Sequence, residues 1–240
     1  MLKKFTNPID LMKNLLLILF VALLFITTNL FAQDPTRFQS EVDALDNKDF
    51  NINPDKPTVV FTGSSSVRMW NNLDEIFSEI NVINTGFGGS QTSDLLFYLD
   101  ELVLKHQPDK IFIYEGDNDI AASETRITIL PEMTRLVTLI REELPNSEIY
   151  FISPKPSIAR WSLKEDYEYL NKMLETVFRY TEGVTFIDVW NPMLNENGEP
   201  MNDIFLEDDL HMNSKGYEIW KSVISKAAGF TVNDISIESH

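Results

Sequence analysis

The run Thr58-Val59-Val60-Phe61-Thr62, followed at once by Gly63-Ser64-Ser65-Ser66, decides the fold. Five residues in a row are apolar or β-branched, with no polar alternation, and they stop at a glycine and three small hydroxyl residues. A strand with that pattern is buried on both faces, as a parallel sheet covered by helices requires. Four more such runs lie downstream: Ile80-Asn81-Val82-Ile83-Asn84, Lys110-Ile111-Phe112-Ile113-Tyr114, Glu148-Ile149-Tyr150-Phe151-Ile152 and Val184-Thr185-Phe186-Ile187-Asp188. Helical periodicity separates them. Leu95, Leu96, Leu99, Leu102 and Val103 form one apolar face, and Leu130, Met133, Leu136, Val137 and Ile140 a second. Residues 163–180 and 214–228 supply two more helices. The expected architecture is α/β, a three-layer αβα sandwich around a five-stranded parallel sheet, with ligand sites beyond the carboxyl ends of the strands.

The chain has 240 residues, 43% hydrophobic and 24% charged, which fits one globular domain after a processed N-terminus. Lys3, Lys4 and Lys13 precede an apolar run from Leu15 to Ile26, the length of a signal-peptide core and short for a membrane span. Residues 1–32 are therefore read as a signal peptide cleaved after Ala32, with export of residues 33–240. The chain has no cysteine, so disulfides, thiol nucleophiles and thiolate metal sites are excluded. Its net charge of −17 disfavours nucleic acid and anionic membranes as partners.

Function is expected in the loops that follow the strands. The turn Gly63-Ser64-Ser65-Ser66 sets hydroxyls at the sheet edge beside backbone N–H groups, although serines also cap helices and fill turns. Asn84-Thr85-Gly86-Phe87-Gly88-Gly89-Ser90 is glycine-rich, but a dinucleotide fingerprint would need glycine where Gln91 stands. It is either a plain turn or a loop that points an amide into a pocket. Gly116-Asp117-Asn118-Asp119 offers the Asn118 amide, a donor that is neutral at all pH values. That loop lacks the spaced ligand series of a calcium loop. Of the three histidines, His240 is terminal and His106 sits in a helix-to-strand connection, at the opposite edge. His211 in Glu207-Asp208-Asp209-Leu210-His211 remains as the one credible base, with Asp208 placed to curl back onto its Nδ1–H, although the same fragment also reads as a solvent-exposed histidine in an acidic loop. Together these loops contain what acyl transfer needs: nucleophile, base, orienting acid and oxyanion donors.

At these four blocks the chain resembles the SGNH, or GDSL-like, hydrolases, and within them the platelet-activating-factor acetylhydrolase branch, over about residues 57–228. The resemblance implies the flavodoxin-like SGNH hydrolase fold and assigns Ser65 as nucleophile through Gly63-Ser64-Ser65. It implies Asp208 and His211 as the other catalytic residues, and Ser65, Gly89 and Asn118 as the oxyanion hole. Ser64 replaces the aspartate usual before the nucleophile, and Trp70 lies where related sequences often carry an aromatic, which favours the Ser65 register. No metal and no cofactor is implied. The expected substrate is a small-molecule or glycan ester, with deacetylation of carbohydrate preferred. Short-chain lipid esters are the alternative if Phe87, Trp161 and Trp190 line a pocket. The rival readings are a non-catalytic carbohydrate-binding protein and a metal-dependent hydrolase using Asp208, Asp209 and His211.

Overall fold

The five apolar runs are strands β1 (Thr58–Gly63), β2 (Asn81–Gly86), β3 (Lys110–Tyr114), β4 (Glu148–Ile152) and β5 (Val184–Ile187) of one parallel sheet, in the order β2-β1-β3-β4-β5. The structure is a computed structural model that describes residues 34–124 and 126–231. The segment read as a signal peptide, its cleavage point and His240 lie outside the described residues. Among the described residues no helix is long and apolar enough to cross a membrane.

Alternate residues of each strand feed two separate cores, because successive side chains point to opposite faces. Val60, Ile111, Ile113, Ile149 and Phe151 face one layer of helices: α1 (Gln39–Asp46), α4 (Thr92–Phe97), α5 (Leu99–Leu102), α7 (Arg126–Glu143) and α8 (Lys164–Phe178). Val59, Phe61, Phe112, Tyr114, Tyr150 and Ile152 face the other: α2 (Ser65–Arg68), α3 (Leu73–Ile76) and α9 (Ser214–Ala228). A short helix α6 (Asp117–Ala121) follows β3 at the sheet's carboxyl edge.

The second core is built on an aromatic ladder. Phe61 pairs in register with Phe112, and Phe112 with Tyr150, so their rings stack at 4.5 and 4.6 Å with interplanar angles of 8° and 13°. Such cross-strand pairs fix register as well as burying area. Trp70 and Phe77 close over the Phe61 end, and Trp70 stacks on Tyr217 of α9 at 5.4 Å.

Two sequence expectations are corrected. The second strand begins at Asn81 and runs to Gly86, not over Ile80–Asn84, because its pairing with β1 continues to Gly63↔Gly86. The apolar face from Leu95 to Val103 is not one helix. It breaks at Tyr98, whose ring is buried edge-on to Phe87 at 6.5 Å. The Tyr98 backbone leaves helical dihedrals there (φ −102°, ψ 23°), while Leu95, Leu99, Leu102 and Val103 still reach the core as expected. Gly63 ends β1 at φ +116°, and a Cβ there would meet the Tyr114 carbonyl oxygen at 2.0 Å. Only glycine lets the two central strands stay paired while the chain turns away.

Phe112 stands in the middle of the ladder with no exposed surface. Phe112→Ala is expected to cost about 3–5 kcal/mol through the cavity it leaves, measured by urea denaturation with an unchanged m-value.

Candidate active site

The strand order puts the carboxyl ends of β1 and β3 side by side, at the point where the chain's winding reverses direction. Crevices form there in open α/β sheets. Ser64 and Ser65 follow β1, and Asn118 lies just beyond β3.

Packing separates the three serines. Ser64 and Ser66 are each 2% exposed, whereas Ser65 is half-buried at the mouth of the crevice. Its Oγ lies 3.0 Å from Nε2 of His211. The turn is held from several sides. Ser64 N–H donates to the Tyr114 carbonyl at 3.0 Å, Phe87 N–H to the Gly63 carbonyl at 2.8 Å, and the Tyr217 hydroxyl to the Ser66 carbonyl at 2.9 Å.

His211 lies in the long loop between β5 and α9. Asp209 takes φ +57° there, a left-handed turn that Asp tolerates. That turn brings the N–H groups of Leu210 and His211 back to Asp208 Oδ1, at 3.0 and 2.9 Å. The other oxygen, Oδ2, lies 2.5 Å from His211 Nδ1. Burial works to raise the Asp208 carboxyl, but these bonds to the His211 ring and the backbone outweigh it and hold the group at about 2. Beyond the histidine, Asn213 caps α9 by accepting from the N–H groups of Lys215 and Gly216, and its amide donates to the carbonyls of Asp203 and Phe205. The loop is thereby locked to the helix. Both ring nitrogens of His211 lie within hydrogen-bond distance of partners, Nε2 of Ser65 Oγ and Nδ1 of Asp208 Oδ2.

Asn118 points its Nδ2 at Ser64 Oγ (2.7 Å) and at the Ser90 carbonyl (2.9 Å), while its Oδ1 accepts from Arg160 Nη2 at 3.0 Å. Arg160 thus fixes which end of the amide faces the serine turn. Gly89 sits in the adjoining turn at φ +69°, with open space where a side chain would be. The neighbouring Gly88 N–H is held by the carboxylate of Glu41, at 3.1 and 3.2 Å.

Several residues here escaped the sequence reading. Asp117 is buried and accepts from Tyr114 (2.8 Å), Arg160 (2.6 Å) and Tyr167, with Lys155 Nζ 3.7 Å away. Burial alone would raise its carboxyl, but the charges of Lys155 and Arg160 hold it below the usual aspartate range. Lys155, 1% exposed, also donates to the Leu210 carbonyl at 2.7 Å, next to His211. One signal could have found it: Ser153-Pro154-Lys155-Pro156 sets a single cation between two prolines directly after a buried strand. Arg160 and Glu41 have no comparable local signature.

His106 lies in the 3₁₀ turn Leu104–His106 before β3, away from this edge, with its ring edge-on to Phe50. Burial, then the Lys105 charge, lowers it to about 4, so it is neutral and structural. The three candidate aromatics differ in their surroundings: Trp161 is half-buried and stacks on Trp190, whereas Phe87 packs elsewhere. Phe87 is fully buried against Phe38 and Tyr98, and Trp190 is 5% exposed between Trp161 and Tyr167.

A hydroxyl, an imidazole and a carboxylate in hydrogen-bond sequence, beside amide donors at the switch point of a parallel sheet, are the parts that acyl-transfer proteins of the α/β class use. Residues 58–219 match the GDSL-like Lipase/Acylhydrolase family, and the chain belongs to it; it is an ester hydrolase. The human platelet-activating factor acetylhydrolase IB subunit alpha1 is 24% identical over 168 residues, covering 68% of this chain and 71% of the relative. A GDSL-like lipase from Bacteroides thetaiotaomicron shares the fold at a TM-score of 0.66 and 20% identity, over 82% of this chain and 97% of that one. An acetylxylan esterase from Geobacillus stearothermophilus shares it at 0.62 and 16%, over 77% and 97%.

Asp208 has a lower pKa in the folded chain than an unfolded aspartate, so it stabilises the fold fully above the ordinary aspartate range and loses that contribution as pH falls toward about 2. The stability difference between the parent chain and Asp208→Asn is therefore expected to be constant near neutrality and to close on acidification. Denaturant titrations at a series of pH values test this, and a gap that widens toward acid would reverse the sign.

Proposed function

We propose that the protein hydrolyses acetyl and other short-chain esters, carbohydrate acetyl esters foremost, through a covalent acyl-enzyme formed on Ser65. The observation that carries this reading is the 3.0 Å approach of Ser65 Oγ to His211 Nε2, with Asp208 on the far side of the ring.

The steps follow from that line of groups. Ser65 Oγ attacks the ester carbonyl carbon as His211 Nε2 takes its proton, and Asp208 stabilises the imidazolium and holds the tautomer. Negative charge that gathers on the carbonyl oxygen is met by the N–H groups of Ser65 and Gly89 and by Asn118 Nδ2, which then shares or leaves its bond to Ser64 Oγ. The imidazolium protonates the departing alcohol. Water, deprotonated by the same histidine, attacks the acyl-serine carbonyl; release of the acid returns Ser65 to its hydroxyl form. No step uses a metal or an organic cofactor.

The acetyl group is common to the names of two relatives, an acetylhydrolase and an acetylxylan esterase, and they differ in the alcohol. Catalytic mutants of the latter have a serine, an aspartate or a histidine replaced by alanine. Carbohydrate is favoured over lipid because Phe87 and Trp190 are buried in the core, which leaves only the half-buried Trp161 of the three candidate aromatics to contribute to an acyl groove. The second reading, an acetylated phospholipid, rests on the similarity to the acetylhydrolase subunit. Export rests on the basic residues and apolar run that open the sequence.

With p-nitrophenyl acetate, Ser65→Ala is expected to lose at least about 10⁴-fold in kcat. Rates should fall steeply beyond acetyl along a linear acyl series, and acetate release should be faster from acetylated xylan than from an acetylated phospholipid. Equal rates on octanoate would remove the acetyl assignment, and an active Ser65→Ala would remove the mechanism. For export, mass spectrometry of the protein from the cell exterior should find a chain beginning near Gln33; an intact N-terminus would refute cleavage.

A further inference from the structure

Three carboxylates meet beside the site with nothing among the described residues to neutralise all of them. Asp119 follows Asn118 in α6, Glu124 lies just past the end of that helix, and Glu132 is on the second turn of α7. One carboxylate oxygen from each falls within 4.8 Å of the others. Asp119 has no exposed surface, and its Oδ2 has no hydrogen-bond partner; the Oε2 of Glu132 is buried and equally without one. Arg135, one turn further along α7, offsets Glu132 alone. A buried acceptor without a donor costs free energy, and like charges at this separation add to that cost. Burial raises all three groups toward protonation, with neighbouring carboxylates adding to this for Glu124 and Glu132, which relieves part of the cost; a bound cation would relieve it without a proton.

We propose that Asp119, Glu124 and Glu132 form a binding site for a divalent cation, with calcium the best fit, which braces the loop that carries Asn118. Calcium bonds oxygens at about 2.3–2.6 Å, so oxygens across it stand roughly 4.6–5.2 Å apart and adjacent ones closer. Ligand atoms within 4.8 Å of one another fit such a shell, and three carboxylates with water complete the hard, all-oxygen donor set that calcium takes. Magnesium, which demands stricter octahedral geometry, is the weaker fit.

Two oxygens of these residues are tied to the segment around Asn118. Asp119 Oδ1 accepts from the Thr92 N–H at 3.0 Å, and Gln91 Nε2 donates to Glu124 Oε1 at 2.9 Å and reaches the Asn118 carbonyl at 3.4 Å. A cation on the orphaned oxygens would fasten α6, α7 and the start of α4 around Asn118. It touches no reacting atom, so its role is positional and separate from the serine chemistry.

The test is thermal unfolding and titration calorimetry of the chelator-treated, desalted chain with calcium alone, beside Glu132→Gln, Asp119→Asn and, as a surface control, Glu196→Gln, at matched ionic strength. At calcium about 100-fold above Kd the midpoint should rise by roughly 5–10 °C. The control should keep the shift; Glu132→Gln and Asp119→Asn should lose it. Asp119 is fully buried, so its variant could fail to fold, and Glu132→Gln, at a half-buried position, decides the matter alone in that case. Absence of heat and of any shift with millimolar calcium, magnesium or manganese would overturn the site, as would a shift undiminished in Glu132→Gln. Neither readout depends on ester hydrolysis.

Discussion

A single buried carboxylate, Asp117, holds the catalytic loops in register. It lies at the end of β3, and its partners come from elsewhere: Lys155 and Arg160 from the segment after β4, and Tyr167 from α8. Each cation then reaches onward, Arg160 to the Asn118 amide and Lys155 to the Leu210 carbonyl beside His211. Asn118 and the loop that carries His211 are thus fastened to one anion although the two residues stand 93 apart in sequence by their numbers. Buried ion pairs of this kind add little net stability, yet removing one partner costs about 3–5 kcal/mol because it strands the others. Their value here is geometric, since a charge network with several short bonds has few alternative arrangements.

The sheet supplies the second fastening. Because the order is β2-β1-β3-β4-β5, the turn after β1 and the loop after β3 are neighbours, and Asn118 can bond Ser64 directly. The aromatic ladder Phe61-Phe112-Tyr150 sets that register from one face, and Trp70 and Tyr217 connect the same core to the serine turn and to α9. Packing and chemistry therefore share residues: Tyr217 is a core aromatic whose hydroxyl holds the backbone of Ser66.

Where the resemblance leads one to expect aspartate, the buried Ser64 hydroxyl accepts from the Asn118 amide at 2.7 Å. A neutral acceptor holds that amide more weakly than a carboxylate would; under the proposed mechanism the amide would therefore be more easily surrendered to a developing oxyanion. The contrast between Asp117, surrounded by cations, and Asp119, two residues later with an orphaned oxygen, shows how sharply electrostatic surroundings change along one loop.

Much of this was legible in the sequence. Runs such as Lys110–Tyr114 are apolar on both faces and can only be central strands, and the glycine and hydroxyl residues after them mark the edge where chemistry sits. Asp208 and His211, three apart, form their pair by local curling, which is why the reading reached them. What only the tertiary structure decided is long-range. Burial closes over Ser64 and Ser66 and leaves Ser65 partly open beside His211, a difference that three identical side chains in a row do not announce. The helix that periodicity made continuous breaks at Tyr98, whose ring is buried in the core. Lys155, Arg160 and Glu41 became structural keystones through partners far away in sequence, and a charged side chain carries no local mark of the distant charge it will meet. Periodicity and spacing record local geometry; burial and long-range pairing exist only once the chain has closed on itself.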